Sequence, residues 1–254
     1  MVVAGGAGVR FGARKQFSLL SGRSVLVRSL ESARCACGGV VVVVPRGGER
    51  AAEVIEHCAG AQAVVAGGDT RSASVRAGLR ALPPGVEIVA VHDAARPLAP
   101  AEVWDRVIDA VASGADAAVP VVGVTDTVVQ VAPDGSPRPL DRSRLVAVQT
   151  PQAFRTSMLV AAHAGDPEAT DDAGLVGAAG GRVVLVPGDP ANLKITAPTD
   201  LLVAAALLSS GAGPGAAGPG AAGPGAAGPG VVGGSPERAG EAGGPERLSR
   251  AARR

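Results

Sequence analysis

Short apolar runs alternate with helix-like segments along most of the chain. Apolar runs at 40–44, 87–93 and 116–122 are each followed by a helical or mixed segment, and a run at 182–187 precedes a last helical segment at 197–208. Strands that alternate with helices pair in parallel, because each helix carries the chain back across the sheet. The pattern predicts an α/β fold with a doubly wound, mostly parallel sheet that binds ligands at the carboxyl ends of its strands.

The composition agrees with such a sheet and excludes several classes of partner. Hydrophobic residues make up 46% of the chain and aromatic residues only 2%, so the core must consist of Val, Leu, Ile and Ala. The net charge is +1 with no broad basic surface, which argues against nucleic acid and membranes. Three cysteines without a CxxC pair favour a reduced cytoplasm. Glycines interrupt the apolar start, so neither a signal peptide nor a membrane span is expected.

Two segments depart from the alternation. Residues 124–149 show period-two alternation around a turn rich in Pro, Asp, Gly and Ser, which predicts a long two-stranded β-arm. An isolated hairpin is unstable, so the arm should pack on something, and a second copy of the chain is an economical candidate. Residues 209–254 are rich in Gly, Pro and Ala, lack a periodic apolar face and end in basic residues. We expect a folded domain over 1–208 and a disordered tail beyond it.

The stretch AGGAGVRFGARKQF, residues 4–17, follows a short first strand and surrounds its glycines with cations. Glycines let backbone N–H groups approach a phosphate closely, and Arg10 and Lys15 can neutralise a triphosphate. The spacing fits neither the GxGxxG fingerprint nor a P-loop, in which the lysine follows a glycine. Taken alone, the loop favours phosphate binding over a simple turn and leaves both open.

Two motifs are predicted at the same edge of the sheet. GGDTRSAS, residues 67–74, enters a helix from a glycine pair, and one of its residues Asp69, Thr70 or Ser72 should cap that helix. VHDAARP, residues 91–97, ends a strand. There, Asp93 can hold Mg²⁺ through water, pair with Arg96, or do both.

Two positions late in the chain complete the candidate set. Lys194 lies between a strand and the last helix, among apolar residues, and is a candidate phosphate contact. Thr170 is most simply an N-cap, with Asp171 and Asp172 favouring the positive end of that helix.

Taken in order over residues 2–208, these motifs resemble the 2-C-methyl-D-erythritol 4-phosphate cytidylyltransferases of the non-mevalonate isoprenoid pathway. The resemblance rests on AGGAGVRFG, KQF, GGDTRSASV, VHDAARP, DT, DR, TPQAF, TDDA and NLKIT. It implies a Rossmann-like sheet, similar to nucleotide-diphospho-sugar transferases, with a protruding β-arm that clasps a second subunit into a homodimer. It also implies transfer of CMP from CTP to a sugar-alcohol phosphate, with Mg²⁺ or another divalent cation as cofactor.

The resemblance assigns a role to each candidate residue. The catalytic cations at the phosphates are Arg10, Lys15 and Lys194. The nucleotide-binding positions are Ala4, Gly5, Gly6, Gly68, Asp69, Ser74 and Ala94. The acceptor-binding positions are Asp93, Arg96, Thr127, Arg142, Thr150 and Thr170, of which Thr127 and Arg142 reach the site of the neighbouring subunit. Asp93 is also the metal candidate, through water, while the CTP phosphates hold the rest of the coordination sphere.

Two alternatives remain open from the sequence. A relative that acts on ribitol 5-phosphate or another polyol phosphate would share the nucleotide half of the motifs. A nucleotide-binding regulator without turnover would also retain them. The chain departs from the family pattern at Arg14, where a proline is usual, and at Asp172, where a glutamate is usual.

Overall fold

The computed structural model describes residues 1–5, 15–48 and 52–211. The strands, in chain order, are β1 (Val2–Val3), β2 (Leu19–Leu20), β3 (Arg23–Ser24), β4 (Val41–Val44), β5 (Ala63–Ala66), β6 (Ile88–Asp93), β7 (Ala117–Gly123), β8 (Val129–Val131), β9 (Pro137–Pro139), β10 (Val146–Val148), β11 (Gln152–Arg155) and β12 (Val183–Pro187). The helices are α1 (Val25–Ala36), α2 (Ala52–His57), α3 (Arg71–Arg80), α4 (Ala101–Ala112), α5 (Thr156–Ala162), α6 (Asp172–Ala178) and α7 (Pro198–Ser209).

The central sheet is mostly parallel, as predicted. The short strand β1 lies between β4 and β6 and pairs with both in parallel, and β5 extends the sheet beyond β4. On the other side of β6, β11 runs antiparallel between β6 and β7, and β12 then pairs with β7 in parallel. The alternation of strands and helices did not predict the antiparallel strand β11, because residues 152–155 followed the arm without an intervening helix.

Helices cover both faces of the sheet, which makes it doubly wound. In β4, Val42 and Val44 belong to the core cluster beneath α1 that includes Trp104, whereas Val43 packs with Val75 of α3 on the opposite face. This reversal at each residue is the period of a strand buried on both faces. The strand is therefore apolar throughout, and its carboxyl end opens at the edge of the sheet.

The segment predicted as an arm contains a hairpin and a return strand. β8 pairs with β9 in antiparallel register, and β10 then pairs with the end of β7. Strands β8, β9 and β10 are exposed at every residue, with Val131 69% exposed and Val146 45% exposed. The segment thus presents apolar side chains to solvent within one chain.

Several predictions fall on residues that the structure does not describe. Gly6, Arg10 and Arg14 lie in the gap at 6–14, and most of the expected tail, residues 212–254, lies beyond the last described residue. In the described part of the chain, every helix is too short or too polar to cross a membrane.

Candidate active site

A cleft of about 260 Å³ opens where β1 and β6 end. The predicted residues that line it are Ala4, Gly5, Lys15, Asp69, Ser74, Asp93, Ala94 and Lys194. It is also lined by Val3, Gln16, Thr70, Arg71 and Ala95, for which the sequence motifs predicted no binding role. The motifs thus meet at one edge of the sheet, because parallel strands place their carboxyl ends together.

Asp93, the last residue of β6, has a cation at each carboxylate oxygen. Lys194 Nζ lies 2.6 Å from Oδ2, and Arg71 Nε lies 3.6 Å from Oδ1. Burial alone would raise the pKa of this carboxyl, but Lys194 and then Arg71 outweigh burial and hold the pKa at about 2. Asp93 is therefore a carboxylate at neutral pH, with cations already arranged around it.

Lys15 lies on the same rim of the cleft as Lys194. It begins a 3₁₀ turn, Lys15–Phe17, and its Nζ donates to the Ile195 carbonyl at 2.7 Å. The next residue, Gln16, is buried and donates from Nε2 to the Ala4 carbonyl at 3.0 Å. These two bonds join the residues after β1 to the loop that carries Lys194, so two ammonium groups approach the cleft from elements far apart in the chain.

Ser74 organises the loop that precedes α3. Thr70 is the N-cap of this helix, since its Oγ1 accepts from the Ala73 N–H at 3.0 Å, which settles the choice among the three expected caps. Ser74 Oγ accepts from the Gly68 N–H at 3.2 Å and donates to the Thr70 carbonyl at 2.9 Å. A Cβ atom on Gly5 or Gly67 would lie within 2.9 Å of this hydroxyl, so both positions need glycine for close approach.

Comparison with known proteins identifies the family and the fold of this chain. The sequence model of the family described as 2-C-methyl-D-erythritol 4-phosphate cytidylyltransferase matches residues 1–210. The chain belongs to this family. Its relatives include the enzyme of that name from Streptomyces avermitilis, 43% identical over 226 residues that cover 82% of this chain and 90% of the relative. The enzyme from Streptomyces coelicolor is 44% identical over 82% of this chain and 84% of its own.

A solved member of the cytidylyltransferase family has the same fold. The crystal structure of the enzyme from Thermus thermophilus is 38% identical to this chain, with a TM-score of 0.69 over 82% of this chain and 97% of the other. Both the resemblance and the α/β fold expected from it are thereby confirmed.

In this family member, Thr150 is held beneath Asp93. Thr150 Oγ1 accepts from the Asp93 N–H at 3.0 Å and lies 3.2 Å from His92 Nδ1. His92 Nε2 lies 3.0 Å from the Arg96 carbonyl, which can only accept, so Nε2 carries the proton and Nδ1 accepts from the threonine. Burial lowers the pKa of His92 to about 4 and keeps the ring neutral. Thr150 and His92 therefore fix the backbone at the end of β6.

Arg96 does not form the direct ion pair with Asp93 that the sequence left open. Its Nη1 donates to the Asn192 carbonyl at 2.7 Å and its Nη2 to the Val148 carbonyl at 3.2 Å. The carboxylate takes its cations from Lys194 and Arg71 instead. A motif only seven residues long suggested a local pair, but the partners come from distant elements.

The prediction that Thr170 caps α6 is also wrong. Asp171 is the N-cap, and its Oδ1 accepts from the Gly174 N–H at 2.6 Å. Asp172, the first helical residue, is buried. Thr170 is exposed and lies outside the cleft.

Three further assigned residues that the structure describes, Gly68, Thr127 and Arg142, do not line the cleft of their own chain. Gly68 precedes Asp69, which lines the cleft, and its N–H donates to Ser74 Oγ. Thr127 and Arg142 are exposed on the arm, where Arg142 Nη1 donates to the Thr125 carbonyl at 2.5 Å.

Arg71 is the charged residue of the cleft for which the sequence motifs predicted no role. It stands in GGDTRSAS, where capping and base contact accounted for its neighbours. Its charge was visible in the sequence, but its partner Asp172 is 101 positions away, so no local pattern linked them.

Proposed function

We propose that this chain transfers CMP from CTP to 2-C-methyl-D-erythritol 4-phosphate, with release of pyrophosphate. The observation that carries the proposal is the coincidence of family membership over residues 1–210 with a cleft that holds Lys15, Lys194 and Asp93. The backbone of Ala4 and Gly5 and the loop before α3 form the nucleotide side of this cleft. Ser74 keeps the two glycine segments close together, which suits recognition of a flat base by main-chain groups.

The chemistry requires placement and charge rather than a covalent intermediate. An oxygen of the acceptor phosphate attacks the α-phosphorus of CTP in line, the bond to the bridging oxygen breaks, and pyrophosphate leaves with the electron pair. Lys15 and Lys194 stabilise the negative charge on the phosphates, and Arg10 is assigned to the same task. Lys194 is 43% exposed and can exchange Asp93 for a phosphate without a large rearrangement.

Mg²⁺ is the proposed cofactor, and the donor set fits it. The described residues include no group of three or more His, Cys, Asp or Glu side chains that could hold a metal ion. Mg²⁺ commonly keeps several waters and binds one or two carboxylates together with substrate phosphates. Asp93 would hold it through water beside the CTP phosphates. When bound, the ion would neutralise charge that develops on the leaving pyrophosphate.

The arm supports a proposed homodimer with shared sites. Thr127 lies in an exposed loop and Arg142 begins an exposed 3₁₀ turn, both away from the cleft of their own chain, and the arm exposes Val129, Val131 and Val146. In the proposed dimer these apolar residues are covered by the second copy, and the two polar side chains bind the acceptor phosphate in the neighbouring cleft.

Complementation tests the shared site. Arg142→Ala and Lys15→Ala homodimers should each be nearly inactive. A mixture of the two should regain activity, because in each mixed dimer one of the two sites contains an intact Lys15 and an intact Arg142. A mixture no more active than its components, with subunit exchange shown by a tagged copy, contradicts the arrangement.

Pyrophosphate release tests the reaction itself. Purified protein with CTP and Mg²⁺ is given 2-C-methyl-D-erythritol 4-phosphate or ribitol 5-phosphate, with ATP, GTP and UTP as nucleotide controls. Release that requires CTP and the first acceptor is expected. Preference for ribitol phosphate would reassign the acceptor, and CTP binding without release in any mixture would make the protein a nucleotide-binding regulator.

A further inference from the structure

Arg71, the first residue of α3, lies between two carboxylates. Its Nη1 donates to Asp172 Oδ2 at 2.7 Å, and its Nε lies 3.6 Å from Asp93 Oδ1. Arg71 lines the cleft with 26% of its side chain exposed, whereas the side chain of Asp172 is 1% exposed. The guanidinium thus reaches from a buried anchor to the carboxylate at the edge of the cleft.

Asp172 is itself held by a second residue. Asp172 Oδ1 lies 2.9 Å from His163 Nε2, so each carboxylate oxygen has a partner. Beside Arg71, Ser72 Oγ donates to the Ala169 carbonyl at 3.2 Å and accepts from the Ala169 N–H at 3.1 Å. Arg71 and Ser72 therefore tie the beginning of α3 to the chain around the beginning of α6, and the guanidinium has little freedom to turn away.

Lys194, the other cation on Asp93, is held differently. It is 43% exposed, and its ammonium sits on a flexible stem. In the proposed reaction Lys194 turns to the nucleotide or acceptor phosphate, and Asp93 Oδ2 then loses its partner. Arg71 has a second carboxylate behind it and stays in place during that exchange.

We propose that Arg71 is a positioning residue, which holds the Asp93 carboxylate in its orientation for Mg²⁺ and CTP whether or not Lys194 is bound to it. The inference rests on the proposed function for the place of Asp93 beside the nucleotide and its metal, and it adds a residue to that site. A guanidinium suits the task because its Nε and Nη donors have fixed directions and can address two carboxylates at once.

Binding of CTP in the presence of Mg²⁺, measured by calorimetry, tests whether Arg71 acts through Asp93. Arg71→Gln is expected to weaken binding about tenfold in the wild-type background. In the Asp93→Asn background the same change should have no further effect, because no carboxylate remains to be positioned. A purely structural role would weaken binding by the same factor in both backgrounds, and that result overturns the proposal. Wild-type affinity of Arg71→Gln overturns it too.

A second variant guards against misfolding. Arg71→Gln leaves Asp172 buried without its cation, whereas Arg71→Gln combined with Asp172→Asn removes both charges of the buried pair. CTP binding is then measured for this double variant with Asp93 intact and with Asp93→Asn. The double variant should weaken binding when Asp93 is intact and should have no further effect in the Asp93→Asn background. Arg155→Gln is the matched control, because Arg155 pairs with Asp116 at 3.5 Å and lies opposite Ile88, at the far end of β6 from the cleft. It should bind CTP like the wild type.

The binding measurement separates this inference from the proposed function. Wild-type protein that binds CTP but releases no pyrophosphate with the acceptor would refute the proposed reaction, while the Arg71 and Asp93 comparison still decides the positioning role. A wild-type protein that does not bind CTP would refute both.

Discussion

His92 makes the stability of the fold depend on pH over a range that its burial sets. The ring is fully buried with its centroid 4.9 Å from that of Trp104, and burial lowers the pKa from 6.5 to about 4. In the unfolded chain the histidine regains its ordinary pKa, so below pH 6.5 the unfolded state binds more protons than the folded state. The contribution of His92 to the free energy of unfolding is therefore complete above this pH and is lost as the pH falls toward 4.

The two pKa values set the size of the effect. The gap between them corresponds to a loss of about 3 kcal/mol at the acid end of the range, and of about 2 kcal/mol at pH 5. Urea unfolding at pH 7.5 and pH 5, in metal-free buffer, measures the loss in the wild type and in His92→Gln. Other groups titrate in both proteins, so the difference between the two losses isolates His92. His92→Gln should lose about 2 kcal/mol less than the wild type.

His57→Gln is the control, because it removes a different histidine, which is half-buried on α2, and keeps His92. Because it retains His92, it should lose more stability between the two pH values than His92→Gln does. If wild type and His92→Gln lose the same free energy between the two pH values, the neutral, buried state assigned to His92 is refuted.

Three further predictions concern the cleft and the tail. A methyl group at Gly68 would lie 2.3 Å from Ala73 Cβ, so Gly68→Ala must displace the loop and should lower kcat/KM for CTP about a hundredfold. Gly38→Ala is the control, because its methyl group would have no atom within 4 Å. Lys194→Ala should reduce turnover at least about a hundredfold while the protein stays folded at the assay temperature, as checked by circular dichroism, and near-normal turnover would remove it from the catalytic set. A chain that ends at residue 211 should retain full turnover, and a large loss of turnover would show that the removed residues, 212–254, take part in the reaction.

The fold could be predicted wherever local patterns determine it. The run of valines at 40–44 is apolar at every position because β4 is buried on both faces, and the helices at α3 and α4 follow amphipathic segments. The antiparallel strand β11 could not be predicted in this way. Its place between β6 and β7 depends on the packing of residues such as Phe154 in the core. The same apolar sequence suits a parallel and an antiparallel strand, so it does not determine the direction of the strand.

The site could be predicted in position but not in its internal contacts. Asp93 was expected at the carboxyl end of a strand, and the cleft lies there. Its partner Lys194 is 101 positions away, and the pairing depends on how α7 and the preceding loop return to the sheet. The cap of α6 shows the same limit on a smaller scale, since Thr170 and Asp171 are both good N-caps and only the backbone conformation decides between them.

Arg96 also contacts residues that are far away in the sequence. One guanidinium binds the Val148 carbonyl, at the end of the returning arm strand, and the Asn192 carbonyl, two residues before Lys194. The buried Asn192 side chain in turn donates to the Thr150 carbonyl at 2.9 Å. These bonds end on main-chain oxygens, which every residue possesses, so no sequence pattern marks them. Arg96 therefore joins the end of β10 to the loop that carries Lys194 within one chain.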